Sequence, residues 1–217
     1  MFSRLITAGT AAALVLCLAM PAEARPPVRK HTPYSAYNHN GFLVRLAAGF
    51  GYTRAGRDGD DELVLAGGGG MASIAFGGMI ARNLALNLDI FGSSAFEPSV
   101  VVNGQDIGDA DDTTMSIGAV GIGVTYYLTP ANVYFAASFG AAKGVIETRY
   151  RFLGATVVEK SESDVGFAIN VMIGKEWWVG PEWGIGVAGQ LIIGTLPGDV
   201  GDIHPFAVGV CFTATYN

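Results

Sequence analysis

From Gly41 onward the chain alternates large apolar residues with Gly, Ala, Ser and Thr, one for one, in stretch after stretch. Successive side chains of a strand point to opposite faces, so this pattern builds strands with one bulky apolar face and one small face. Residues 41–53 show it first. Phe42, Val44, Leu46, Ala48, Phe50 and Tyr52 share one side; Leu43, Arg45, Ala47, Gly49, Gly51 and Thr53 share the other. The split recurs over 73–80, 84–93, 119–128, 133–142, 165–174, 183–193 and 206–216, which predicts eight strands.

The contrast in size tells the faces apart. A soluble sheet turns its bulky face inward and a polar face to water. Here the face opposite the bulky one is small and carries few charges, which suits a narrow packed interior. The bulky face therefore points outward, into lipid, and a closed barrel pairs every backbone amide there. A helical membrane protein is excluded, because the longest uncharged run, 113–142, is broken by glycines and by the Leu128–Asn132 turn before it reaches about 20 residues. Composition agrees. The chain is 50% hydrophobic, has 31 glycines among 217 residues, and is only 15% charged, against about 25% in ordinary soluble domains. That composition excludes disorder, and a net charge of −6 argues against a nucleic-acid partner.

The expected connections alternate. Those at 81–83, 129–132 and 180–182 are tight; those at 54–70, 95–113, 147–163 and 194–205 are long. Outer-membrane barrels carry short turns on the periplasmic side and long loops outside. Tyr126, Trp177, Trp183 and Tyr216 fall on the outward phase beside the short turns, where a periplasmic aromatic girdle belongs. Lys143 and Lys175 share that phase at opposite ends and can snorkel to head groups.

The N-terminus reads as a secretory signal peptide over 1–24, with Arg4 before an apolar run and a cut after Ala24 in Ala22-Glu23-Ala24. Residues 25–40 are basic and proline-rich, without period, and read as a flexible periplasmic leader in which His31 and His39 are solvated. Cys211 is then the single cysteine left, so no internal disulfide forms.

From Gly41 to Asn217 the chain resembles the small Gram-negative outer-membrane barrels of the OmpA transmembrane-domain and OmpX type. Arg82-Asn83-Leu84-Ala85-Leu86-Asn87 carries the resemblance, as do Gly174-Lys175-Glu176-Trp177-Trp178 and Trp183-Gly184-Ile185-Gly186-Val187. The last strand resembles the signal read by the barrel-assembly machinery, with the aromatic, Tyr216, one place before the end. The resemblance implies an all-β, eight-stranded antiparallel transmembrane barrel, set in outer-membrane lipid and lipopolysaccharide as a monomer.

Arg45, Asn87, Asp89, Asn170, Glu176 and Gln190 are the polar residues on the inward phase. Buried charges need partners, so Arg45 is expected to pair with Asp89 or Glu176, in a network that plugs and stiffens the barrel. The fifth strand continues past the membrane in alternation. It carries Glu147, Arg149 and Arg151, turns at Leu153-Gly154-Ala155 and returns over 156–164. Pairing about Gly154 sets Arg149 opposite Glu159, Phe139 opposite Ile169 and Phe135 opposite Ile173. The excess length stands about 20–30 Å above the membrane at ~3.3 Å per residue. Its edge suits a surface partner that adds a strand.

Val101-Val102-Asn103-Gly104-Gln105 reads as a small hairpin with an Asn-Gly turn. Around it Glu97, Asp106, Asp109, Asp111 and Asp112 lack the spacing of a calcium loop and read as solvated. His204 is the single histidine within the barrel, and no Gly-x-Ser-x-Gly motif accompanies it. No metal, cofactor or enzymatic activity is therefore expected. The expected role is a rigid membrane anchor that presents extracellular loops for surface interaction or envelope integrity. The alternative is a small passive channel for apolar molecules, as in OmpW-like proteins; further off is a soluble secreted ligand carrier.

Overall fold

The computed structural model describes residues 39, 41–57, 63–129, 131–152, 155–198 and 201–217. The signal-peptide and leader expectations, apart from His39, fall outside these residues, as do Leu153, Gly154 and the side chain of Arg151. The described residues contain the strands β1 (Phe42–Arg57), β2 (Leu63–Ala81), β3 (Leu84–Phe96), β4 (Ser99–Val102), β5 (Gln105–Asp109), β6 (Thr113–Leu128), β7 (Val133–Phe152), β8 (Ala155–Glu162), β9 (Gly166–Trp178), β10 (Trp183–Thr195) and β11 (Ile203–Tyr216). Eight of them, in the order β1-β2-β3-β6-β7-β9-β10-β11, pair antiparallel with their neighbours, and β11 closes onto β1. The other three are additions: β4 pairs with β2, β5 with β4, and β8 with β7. The fold is a closed eight-stranded antiparallel barrel.

The stagger of the barrel follows from its register. Leu43 pairs with Gly77, Gly77 with Asn87, Asn87 with Gly123, Gly123 with Ser138, Ser138 with Asn170, Asn170 with Ile192 and Ile192 with Ala207. Ala207 pairs with Thr53, ten residues beyond the start on β1. Strands with this stagger are tilted, and eight of them enclose an interior just wide enough for side chains to fill.

The faces sort by size. Phe50 is 79% exposed on the outer wall, Phe212 73% and Ile122 68%, while Arg45, Asp89, Ala75 and Met172 are fully buried inside. Each large apolar side chain left in water forgoes about 1.5–3 kcal/mol of burial. An outer wall built of them is stable only against lipid, and the barrel is therefore a transmembrane one. Inside, room is scarce. A Cβ added to Gly69 would sit 1.9 Å from the Ser94 carbonyl oxygen.

Three expectations about the long-loop end need correction. Residues 63–70, assigned to a loop, are strand: Phe50 pairs with Gly70, Tyr52 with Gly68 and Arg54 with Ala66. Gly67 to Gly70 have no side chains to reveal a face, yet their backbone pairs normally. The segment 99–109 is the expected hairpin, with φ of 51° at Asn103 and 76° at Gly104, but it also extends the sheet, since β4 pairs with β2. The third correction concerns the β7 hairpin. In the barrel Phe139 pairs with Ile169 and Phe135 with Ile173, as expected. Above it Arg149 faces Val158, and Glu159 faces Thr148. The return arm holds one extra residue between β8 and β9, a bulge that shifts the register by one. The bulge is held on both sides: Ser163 N donates to Gly144 O at 3.0 Å, and Asp164 N donates to Pro197 O at 3.1 Å.

Candidate functional site in the barrel lumen

The register sets the inward polar residues in tiers. The middle tier centres on Asp89 of β3. Its Oδ1 accepts from Ser73 Oγ at 2.7 Å, and its Oδ2 accepts from Ser138 Oγ at 2.6 Å and Asn170 Nδ2 at 3.0 Å. Asn170 Oδ1 accepts from Gln190 Nε2 at 3.0 Å, and Gln190 Oε1 accepts from Cys211 Sγ at 3.2 Å. The chain of bonds thus joins β2, β3, β7, β9, β10 and β11. Strands β3 and β9 are separated by two strands on one side and four on the other. A direct bond between their side chains crosses the lumen at this level. A buried side-chain network of this kind can hold more than the sum of its single bonds.

The tier nearer the short turns centres on Arg45 of β1. Its Nη1 donates to Thr125 Oγ1 at 3.1 Å, which in turn donates to Asn87 Oδ1 at 3.1 Å. Its guanidinium lies 4.8 Å from the centre of the Tyr134 ring, on β7, the strand diametrically opposite. That ring covers Gly174, where an added Cβ would come within 2.4 Å of it. Arg45 forms no ion pair with Asp89 or Glu176, contrary to expectation. Both carboxylates have other partners: Asp89 holds Ser73, Ser138 and Asn170, and Glu176 Oε1 accepts from Thr213 at 3.1 Å and Thr215 at 2.6 Å. All six inward polar residues picked out by phase are buried here.

A residue from outside the barrel strands packs at the short-turn mouth. His39 is buried rather than solvated. Its ring stacks on Tyr127 with centroids 3.5 Å apart, lies 5.1 Å from Trp178, and its Nε2 is 2.8 Å from Asn132 Oδ1. Burial holds this imidazole below the ordinary histidine range, against the opposite pull of Asn217, Asn132 and the Glu176 charge. Thr125 and Tyr134 fall on the inward faces read from the sequence without being singled out, Tyr127 was missed as a lumen residue, and His39 was placed in solvent. The tyrosines lie on the inward phase, which was their only signal.

On the outer wall, Tyr126, Trp177, Trp183 and Tyr216 gather at the short-turn end. Trp183 meets Tyr216 edge-on at 5.4 Å, and Lys175 Nζ lies 5.7 Å from the Trp177 ring. At the other end Glu147 binds Lys160 across the β7–β8 hairpin and lies 3.8 Å from Arg149. Lys143 pairs with Glu162 at 2.6 Å and holds that carboxyl below its usual range. Asp106 Oδ1 accepts from Gly108 N at 2.9 Å. Among the described residues no three of His, Cys, Asp and Glu converge as a metal site would require. His204 Nδ1 lies 3.3 Å from Thr195 Oγ1.

A closed antiparallel barrel with an apolar outer wall and a braced polar interior is a transmembrane β-barrel of the small eight-stranded class. No family profile and no curated protein matches the sequence. Among solved structures the chain is similar to Neisserial surface protein A, at 15% identity and a TM-score of 0.48, over 82% of this chain and 97% of that one. It is also similar to Ail, the attachment invasion locus protein of Yersinia pestis, at 10% identity and a TM-score of 0.39, over 80% and 99%. The outer membrane protease OmpT from Escherichia coli follows at 9% identity and a TM-score of 0.45, over 82% and 97%.

Proposed function

We propose that the protein is a bacterial outer-membrane barrel without enzymatic activity, a rigid monomeric anchor that presents its long-loop end at the cell surface. One observation carries this reading: the Asp89–Asn170 bond, 3.0 Å long, ties near-opposite walls together across the lumen. A cross-tie buried among further hydrogen bonds favours stiffness over transport. Lipid and lipopolysaccharide surround the outer wall in this reading, and the last strand is the handle for the assembly machinery. The periplasm receives the short turns, and the signal peptide is removed near Ala24. In planar bilayers the purified barrel is expected to give no stable open-pore currents; regular single-channel steps would overturn the plugged lumen.

The surface contact in this reading is the β7–β8 sheet. Beyond Thr148, β7 leaves β6 and pairs with β8 alone, and Tyr150, Val157 and Val158 are exposed. A row of backbone groups beside exposed apolar side chains suits an added strand. Deleting 147–161 is expected to abolish surface binding while the barrel still folds; unchanged binding would remove the idea.

A further inference from the structure

His39 sits in a seat that is separate from the barrel's own strand pairing. The barrel is tied from Gly41 onward, whose carbonyl accepts from Met79 N at 2.8 Å. Gly41 has φ of 88°, a conformation that glycine adopts freely, and a Cβ there would meet nothing within 4 Å. The entry to β1 can therefore swing at Gly41 while β1 stays paired. The seat is thinly bonded. The ring stacks on Tyr127, and its Nε2 donates to Asn132 Oδ1 at 2.8 Å. His39 Nδ1, Asn132 Nδ2 and Glu176 Oε2 are buried there without hydrogen-bond partners. In the middle tier, by contrast, Ser73, Ser138 and Asn170 all bond to Asp89. A buried polar group without a partner costs free energy that hydration returns, so local opening of the seat is cheap.

We propose that His39 is an acid-sensitive latch: neutral, its ring pins the entry to β1 at the short-turn mouth; protonated, it leaves the seat and water enters the mouth. Protonation makes both ring nitrogens donors, and the new N–H at Nδ1 finds no acceptor. Burial penalises the added charge further. Asn217, Asn132 and the Glu176 charge pull the other way, but none of them bonds Nδ1. The other charged and titratable groups about the seat are Tyr127, Tyr134 at 5.9 Å from it, Arg45 against the Tyr134 ring, and Arg82, which borders the same recess as His39. Both arginines repel a protonated ring, and phenols, with an ordinary value of about 10, stay neutral in mild acid. A released ring titrates at about 6.5. Each pH unit below that value therefore lowers the closed-to-open ratio about tenfold, until the seated ring itself titrates. In the outer-membrane reading this sensor faces the periplasm.

The test uses the full chain in lipid nanodiscs, with aromatic rings and methyl groups labelled for NMR. Cross-peaks between the His39 and Tyr127 rings are expected at about pH 7.5 and should be lost at about pH 4.5, on either side of the ordinary histidine value. Water cross-peaks should appear at Tyr127 as they go. The Met172 and Ile192 methyls, buried within the barrel, should stay unmoved, which marks the change as local. His39→Phe keeps a ring that cannot titrate, so its contacts to Tyr127 should persist in acid. Asn132→Asp puts a carboxylate beside Nε2 and steadies the protonated ring in its seat, so release should move to lower pH or vanish. The proposal is overturned by His39–Tyr127 cross-peaks that survive protonation of the ring, or that are absent at neutral pH. It is equally overturned by an Asn132→Asp variant that releases at the same pH as the wild type, or by a His39→Phe ring that leaves Tyr127 in acid. Loss of the Met172 and Ile192 signals together with the ring contacts would show global unfolding in place of a latch, and would overturn it too.

Discussion

At the scale of single residues, Asp89 has the greatest structural consequence. It accepts three side-chain hydrogen bonds in a fully buried site. Asp89→Ala strands three donors at once and should cost at least about 3 kcal/mol, read from urea unfolding in lipid vesicles. Asp89→Asn keeps the shape and should cost less. Gly174 offers a second test. Gly174→Ala puts a methyl into the Tyr134 ring and should destabilise by about 1–3 kcal/mol, while in a Tyr134→Ala background the same change should cost little. His39 gives the third. Its pKa is depressed in the folded state, so above the ordinary value of about 6.5 both states are neutral and nothing is lost. As pH falls below that value the unfolded chain takes up the proton first, and stability drops. Unfolding midpoints should fall on mild acidification in the wild type, and less so in His39→Gln. The six inward polar residues were legible because phase alone decides inside from outside. Their partners were not. Arg45 spans the lumen to Tyr134, a choice that alternation along a single strand does not encode. His39 was illegible because it sits in a stretch without period and meets Asn132 far along the chain.

At the scale of elements, alternation located all eight barrel strands, and the β7–β9 register followed from the position of the hairpin turn. It failed where the pattern has no amplitude. Gly67 to Gly70 pair as strand, but a run of glycines shows no face. It failed again at 163–165, where one extra residue shifts the β8 register. A bulge leaves alternation intact on either side of it, and only the phase between the two sides changes. Paired cysteines separate the two registers. Arg149→Cys with Val158→Cys should cross-link readily on oxidation, because the two positions face each other. Arg149→Cys with Glu159→Cys should not, since those side chains lie on opposite faces. Efficient cross-linking of the second pair would restore the unbulged hairpin.

At the scale of the whole molecule, a register that returns ten residues displaced around eight strands fixes a tilted barrel of small bore. Small bore explains the composition. Glycine and alanine face inward because little else fits, and the large apolar residues are left to the outer wall, so a hydropathic chain needs no spanning helix. The same bore lets one Asp and one Asn reach across the lumen to each other. The central claim is thus an apolar wall in lipid around an interior filled by packed side chains, which predicts little water at its apolar core. Methyl NMR of the barrel in lipid nanodiscs tests both halves at once. Ile122 and Val210, exposed on the wall, should show cross-peaks to lipid chains, while Ile192 and Met172, fully buried, should show none to lipid and none to water. Water cross-peaks at Ile192 and Met172, or lipid contacts missing at Ile122 and Val210, would contradict the account.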